Sequence, residues 1–172
     1  MYPYNINDSY KSSININSNE KKTKTSILSV LEDKRLIKLL RLITEEVKQL
    51  SEYYSNFYKS VQNSNRDENT KESIKEIYID ILKALKFLEN IYFMSTNEKM
   101  IYNNENLKEI SNNFNKDLEN GLFYIGEHSK NIRDLYTLFT DIEVRNMLSE
   151  IISDSLCDMS ILNFIYIRNC RI

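Results

Sequence analysis

The amino-acid sequence predicts an all-α fold, an antiparallel four-helix bundle. Three observations predict it. Glycine occurs twice and proline once in 172 residues, whereas sandwiches, barrels and α/β folds place these residues at many turns. Apolar residues recur in steps of three and four over long stretches, the period of one helix face. Short polar segments separate four such stretches, and four helices of roughly 25–35 residues pack most simply as an antiparallel bundle.

Residues 1–24 are polar, with three tyrosines and little periodicity, and read as a flexible arm. The bundle domain spans 25–172. A short run, Ile27 to Leu31, precedes the first helix, with Ser29 and Glu32 at capping-box spacing and a break expected near residue 30. The first helix follows Leu36, Leu39, Ile43, Val47, Leu50, Tyr54, Phe57 and Val61. A polar turn over 62–67 ends on Asp67, an expected N-cap. The second helix carries Ile74, Ile77, Ile81, Leu85, Leu88 and Tyr92. A polar connection, Ser95 to Asn104, leads to a third helix that carries Leu107, Ile110, Phe114, Leu118, Gly121, Ile125, His128, Ile132 and Leu135. Thr140-Asp141-Ile142-Glu143 has capping-box spacing and opens a fourth helix through Val144, Leu148, Ile151, Ser155, Leu162 and Ile165.

Charge and composition exclude several function classes. A net charge of −2 and a pI near 5.6 give no electrostatic footprint for nucleic acid. No apolar run reaches the length of about 18 residues that spans a bilayer. The first residues lack the basic and apolar regions of a secretory signal. Gly-rich phosphate loops need clustered glycines, which are absent. Cys157 and Cys170 lie 13 residues apart on one helix, about 20 Å at the helical rise, so they do not pair with each other there. A reduced, cytoplasmic setting is expected.

A weak internal repeat links the two halves. Glu46 stands seven residues before Tyr53, and Asp117 seven before Tyr124. Asp80 stands twelve before Tyr92, and Asp154 twelve before Tyr166. The offsets are 71 and 74 residues, and Ile91-Tyr92 matches Ile165-Tyr166. Two similar helical hairpins related by a pseudo-twofold axis are therefore expected. The spacing turns Glu46, Asp117 and Asp158 toward the bundle centre, where carboxylates are costly without protons, metal or basic partners.

With these residues the chain resembles the ferritin-like superfamily, and within it the rubrerythrin-like proteins of spore-forming low-GC bacteria. The resemblance rests on Glu46 through Tyr53, Asp80 through Ala84 running to Ile91-Tyr92, Asp117 through Tyr124, and Ile151 through Asp158. The tail Phe164 to Cys170 and the Tyr-rich start Met1-Tyr2-Pro3-Tyr4 add to it. It implies a ferritin-like fold and a di-iron site of four acids and two histidines, each His following a Glu by three. The ligand-equivalent positions here are Glu46, Ile81, Ala84, Asp117, Ser155 and Asp158. Neither ligand histidine remains, and Ile81 and Ala84 offer no donor. The expectation is a degenerate di-iron site with no metal or other cofactor and no catalytic residue. The function expected is a structural or interaction role, with a homodimer open. The alternative is a metal-binding protein or oxidoreductase that holds a divalent ion, or a di-iron centre, on Glu46, Asp117 and Asp158; an all-oxygen triad suits Mg²⁺, Ca²⁺ or Mn²⁺. By resemblance alone, the cytoplasmic setting extends to the spore.

The single histidine, His128, lies eleven residues beyond Asp117, about 16 Å along the helix. It is expected at the surface or the core edge, outside any site built on Asp117. Cys157 is expected as a small core or boundary residue. Most of the tyrosines fall at helical spacing and are expected in the core or at bundle edges.

Overall fold

The computed structural model describes residues 34–102, 108–111 and 113–170. The expected arm, the break near residue 30 and Leu107 lie outside the described residues. Among these, four helices and no strand are present: α1 (Lys34–Gln62), α2 (Glu68–Thr96), α3 (Phe114–Leu138) and α4 (Ile142–Cys170). They pack as an all-α bundle in a ring, α1 beside α2 and α3, and α4 beside α3 and α2. None is long and apolar enough to cross a membrane.

The buried stripe of α1 is Leu36, Leu40, Ile43, Val47, Leu50, Tyr54, Phe57 and Val61. It alternates steps of four and three, so each residue lands on the same face. Leu40 takes the inward place expected of Leu39, which is only half-buried. Each Leu or Ile buried in such a stripe contributes about 1.5–3 kcal/mol. The polar faces carry the expected ion pairs, including Arg41–Glu45 and Lys48–Glu52 on α1 and Lys71–Glu68 on α2.

Helix ends follow local hydrogen bonding. Asp67 caps α2, its Oδ1 accepting the Thr70 N–H at 3.1 Å. Asn97 ends it in the left-handed region, φ 58°, donating its N–H to the Phe93 carbonyl; Asn tolerates that conformation. Two expected boundaries are corrected. α3 begins at Phe114, not near Leu107, because Asn113 Oδ1 accepts the Lys116 N–H and Asp117 Oδ1 binds the Ser111 N–H. Those two bonds fix the chain before Phe114 outside the helix, and Ile110 packs on the core from there. The cap of α4 is Asp141 rather than Thr140, its Oδ1 accepting from Glu143 N and Val144 N at 2.9 and 3.0 Å.

Contacts between helices show which ends meet. Phe114, at the start of α3, lies against Phe57 near the end of α1, with the Arg66 guanidinium over its ring. Farther along, Asn131 of α3 meets Glu46 in the first half of α1. At the start of α2, Asp67 pairs with Arg168 near the end of α4. Thr96 thus ends α2 at the opposite end of the bundle from Phe114. A 29-residue helix is about 43 Å long, a distance that residues 97–113 can span at up to about 3.3 Å each. On this stretch Tyr102 donates to the Glu89 carboxylate, and the Lys108 ammonium lies over the Tyr124 ring.

Candidate functional site

Four of the six ligand-equivalent positions line one cavity of about 150 Å³. From α2 come Ile81 and Ala84, and from α4 come Ser155 and Asp158, each at most 5% exposed. The cavity lies along the α2–α4 seam, where the helices touch least. His128 reaches it from α3. His128, expected at the surface or the core edge and outside any site built on Asp117, is buried at the wall of this cavity, which Asp117 does not line.

Asp117 belongs to a different structure. It is buried in the first turn of α3, where the helix dipole favours a carboxylate. Its Oδ1 accepts the Ser111 N–H at 2.7 Å, and its carbonyl accepts the Tyr53 hydroxyl at 2.6 Å. Tyr53 reaches across the bundle to make that bond and meets Tyr124 edge-on at 5.1 Å between ring centroids. Burial and the nearby Asp117 push the Tyr53 hydroxyl far above its ordinary range, so it remains a donor.

Glu46 is not inward. It is exposed and accepts from the Asn131 amide at 2.6 Å. The cause is helical phase: Val47, one residue on, takes the inward place between Ile43 and Leu50, and one residue is about 100° of rotation. Glu46 lines a second opening of about 280 Å³ with Lys108, Glu127 and His128. Only His128 is shared by the two openings.

The first cavity is acidic on one side and apolar on the other. Asp80, Glu150, Asp154 and Asp158 supply carboxylates, and Lys83 pairs with Asp80. Phe87, Met147 and Ile151 add apolar surface to Ile81 and Ala84. Burial, then the charges of Asp80 and Asp154, pushes the Asp158 carboxyl up to about 7, against the smaller opposing effect of Lys83. Burial and Asp80 raise Asp154 as well. Burial, with Lys108 adding to it, lowers His128 to about 4, so its ring is neutral near pH 7. The Ser155 hydroxyl donates to the Ile151 carbonyl at 2.8 Å and is spent within its own helix.

These residues do not fit a di-iron centre. Ile81 and Ala84 carry no donor atom, Glu46 and Asp117 lie elsewhere, and Ser155 is engaged. Among the described residues, no three His, Cys, Asp or Glu side chains are gathered as a metal ion needs. Cys157, expected at the core or its boundary, is exposed on α4. Sequence reasoning passes over Asp80 and Asp154 as site residues, although the repeat already pairs them.

Comparison of the chain with protein-family models, with characterised proteins and with solved structures finds no match.

Proposed function

We propose that the chain is a ferritin-like bundle that has given up di-iron chemistry and serves as a structural or interaction protein. The observation that carries this reading is the wall of the α2–α4 cavity. Ile81 and Ala84 stand there at two ligand-equivalent positions and have no donor to offer. The ferritin-like part is supported by helix order and ends. The meeting of Phe57 with Phe114, and of Asp67 with Arg168, suits antiparallel neighbours. The second helix then ends and the third begins at opposite ends of the bundle, as the crossover of ferritin-like folds requires. Two repeat-equivalent pairs also adjoin one another, Tyr53 with Tyr124 and Asp80 with Asp154. A pseudo-twofold axis through the centre would bring equivalent residues together in this way.

The interaction role draws on α4. Leu156, Phe164 and Ile167 are exposed, and with Ser160 they follow steps of three and four along one face. Exposed apolar stripes mark association surfaces, and a second copy of this chain is the simplest occupant. A cytoplasmic, reduced compartment suits the cysteine usage, with spore association resting on the resemblance alone.

The test measures oxidation of Fe²⁺ and reduction of peroxide by the purified chain, and its melting temperature with and without a strong chelator. The reading expects rates at the protein-free background and an unchanged melting temperature. Saturable Fe²⁺ oxidation at a stoichiometry of one or two ions per chain would overturn it.

A further inference from the structure

We propose that the α2–α4 cavity is a binding site for a small primary alkylammonium ion. Its carboxylates would hold the charged head, and its apolar wall would hold the alkyl body. The inference does not depend on ferritin-like ancestry, because it rests on the cavity alone.

Two side chains point to a ligand, and one of them, His128, is independent of the acidic cluster. Asp158 is 5% exposed and His128 is 7% exposed. Both line the cavity, and neither has a hydrogen-bond partner among the described residues. Among the described residues, the fully enclosed side-chain atoms without a partner are elsewhere, on Tyr54, Asn115, Ser129 and Arg145, so the polar atoms of Asp158 and His128 open onto the cavity, where water or a ligand satisfies them. Asp117 shows how this chain treats a buried carboxylate that serves the fold alone, by bonding it to backbone. Asp158 is left facing an opening.

The ligand class follows from what lines the space. Lys83 pairs with Asp80 and also acts on Asp154 and Asp158, so one cation faces four carboxylates in the cavity, Asp80, Glu150, Asp154 and Asp158. An anion is repelled. A neutral apolar molecule would strip water from carboxylates and return nothing to them. A bare divalent ion needs several oxygens converging at about 2.0–2.6 Å, and no such group is gathered among the described residues. An ammonium head differs in two ways. It donates three hydrogen bonds at about 2.8 Å and tolerates acceptors spread over a wider arc. Its hydrocarbon chain then lies on Ile81, Ala84, Phe87 and Met147. The neutral His128 ring supplies one further acceptor nitrogen. A volume of about 150 Å³ admits a molecule of about six non-hydrogen atoms, since an engineered cavity of that size holds benzene. n-Pentylamine has that size and both chemical halves.

The test titrates the full chain with n-pentylammonium chloride at pH 8, followed by amide NMR shifts. At that pH the Asp158 carboxyl is ionised. The other charged or titratable groups around it are Glu76, Asp80 and Lys83 on α2, Asp154 and Glu150 on α4, Tyr54 on α1 and His128 on α3. Saturable shifts are expected at Asp80, His128, Asp154 and Asp158, with a Kd in the millimolar range. Asp158→Asn is expected to weaken binding at least tenfold. Ala84→Leu, which fills the apolar wall without touching a charge, is expected to abolish it; this variant decides the matter if Asp158→Asn does not fold. n-Pentanol and ammonium chloride, each carrying half of the chemistry, are expected to bind at least tenfold more weakly. Equal binding of n-pentanol, no saturable shift with n-pentylamine, or unchanged binding in a folded variant would overturn the proposal. Preferential binding of Mg²⁺ or Mn²⁺ at the same residues would overturn it also.

Discussion

Asp117, in the first turn of α3, and Asp158, midway along α4, are both almost fully buried. The first is built into the fold, with the Ser111 N–H on its carboxylate and the Tyr53 hydroxyl on its carbonyl. The second lines a cavity with no hydrogen-bond partner among the described residues. The comparison teaches that burial alone does not identify a functional acid. What separates the two is whether the surrounding backbone has already used the carboxylate.

Removing the two acids should therefore have unequal effects, and this is the largest expected difference. Asp117→Ala leaves the Ser111 amide unpaired at the start of α3 and should cost about 2–3 kcal/mol. Asp158→Asn should cost nothing at pH 8, or stabilise slightly, because it removes an unpaired buried charge. Urea denaturation of both variants checks this; equal losses would erase the distinction.

A second expectation concerns the tyrosine side of the bundle. A Cβ on Gly121 would stand 2.6 Å from the Tyr54 hydroxyl oxygen, whose ring is fully buried. Gly121→Ala should destabilise by about 1–2 kcal/mol even though Ala is favoured over Gly in a helix by about 1 kcal/mol. Adding Tyr54→Phe should recover much of that loss, since it deletes the clashing atom. Thermal melts of the single and double variants would show it.

The adjacent tyrosines should respond in opposite directions. Tyr53→Phe loses the bond to the Asp117 carbonyl and should cost about 1 kcal/mol. The Tyr54 hydroxyl is buried with no partner among the described residues, so Tyr54→Phe should be neutral or stabilising by up to about 1 kcal/mol. Denaturation midpoints at fixed slope would separate the two.

The smallest expected effect is a pair of opposed pH slopes. With its carboxyl raised to about 7, Asp158 contributes stability that is full below pH 3.8 and lost as pH rises through about 7. With its pKa lowered to about 4, His128 contributes stability that is full above pH 6.5 and lost as pH falls through about 4. Between about pH 4 and 6.5 the two slopes oppose each other, and Asp154, also raised, adds to the first. Asp158→Asn should make the melting temperature rise more steeply with pH across that window, and His128→Gln should make it fall. Identical pH profiles for the two variants would contradict the assigned surroundings.

Much of the fold is legible in the sequence because its signals are local. The α1 stripe, the Asp67 cap and the four-helix pattern follow from spacing and side-chain chemistry within a few residues. Two boundaries are misread for an equally physical reason. Leu107 and Ile110 continue the apolar period of α3, but Asn113 and Asp117 bind the backbone first and start the helix at Phe114. Glu46 fails by a single step of helical phase, which a period of three or four residues does not resolve when Val47 competes. His128 and Asp158 come together through the packing of α3 on α4, a contact no spacing along one helix reveals. Asp80 and Asp154 are within reach of sequence reasoning, because the repeat marks them as equivalents.

The metal content of the full chain, purified without chelator after growth in iron- and manganese-supplemented medium, tests the central claim most directly. Well under about 0.1 transition-metal ions per chain are expected, a level set by adventitious surface binding. One or two tightly held iron or manganese ions per chain, lost together with Asp158→Asn, would contradict it.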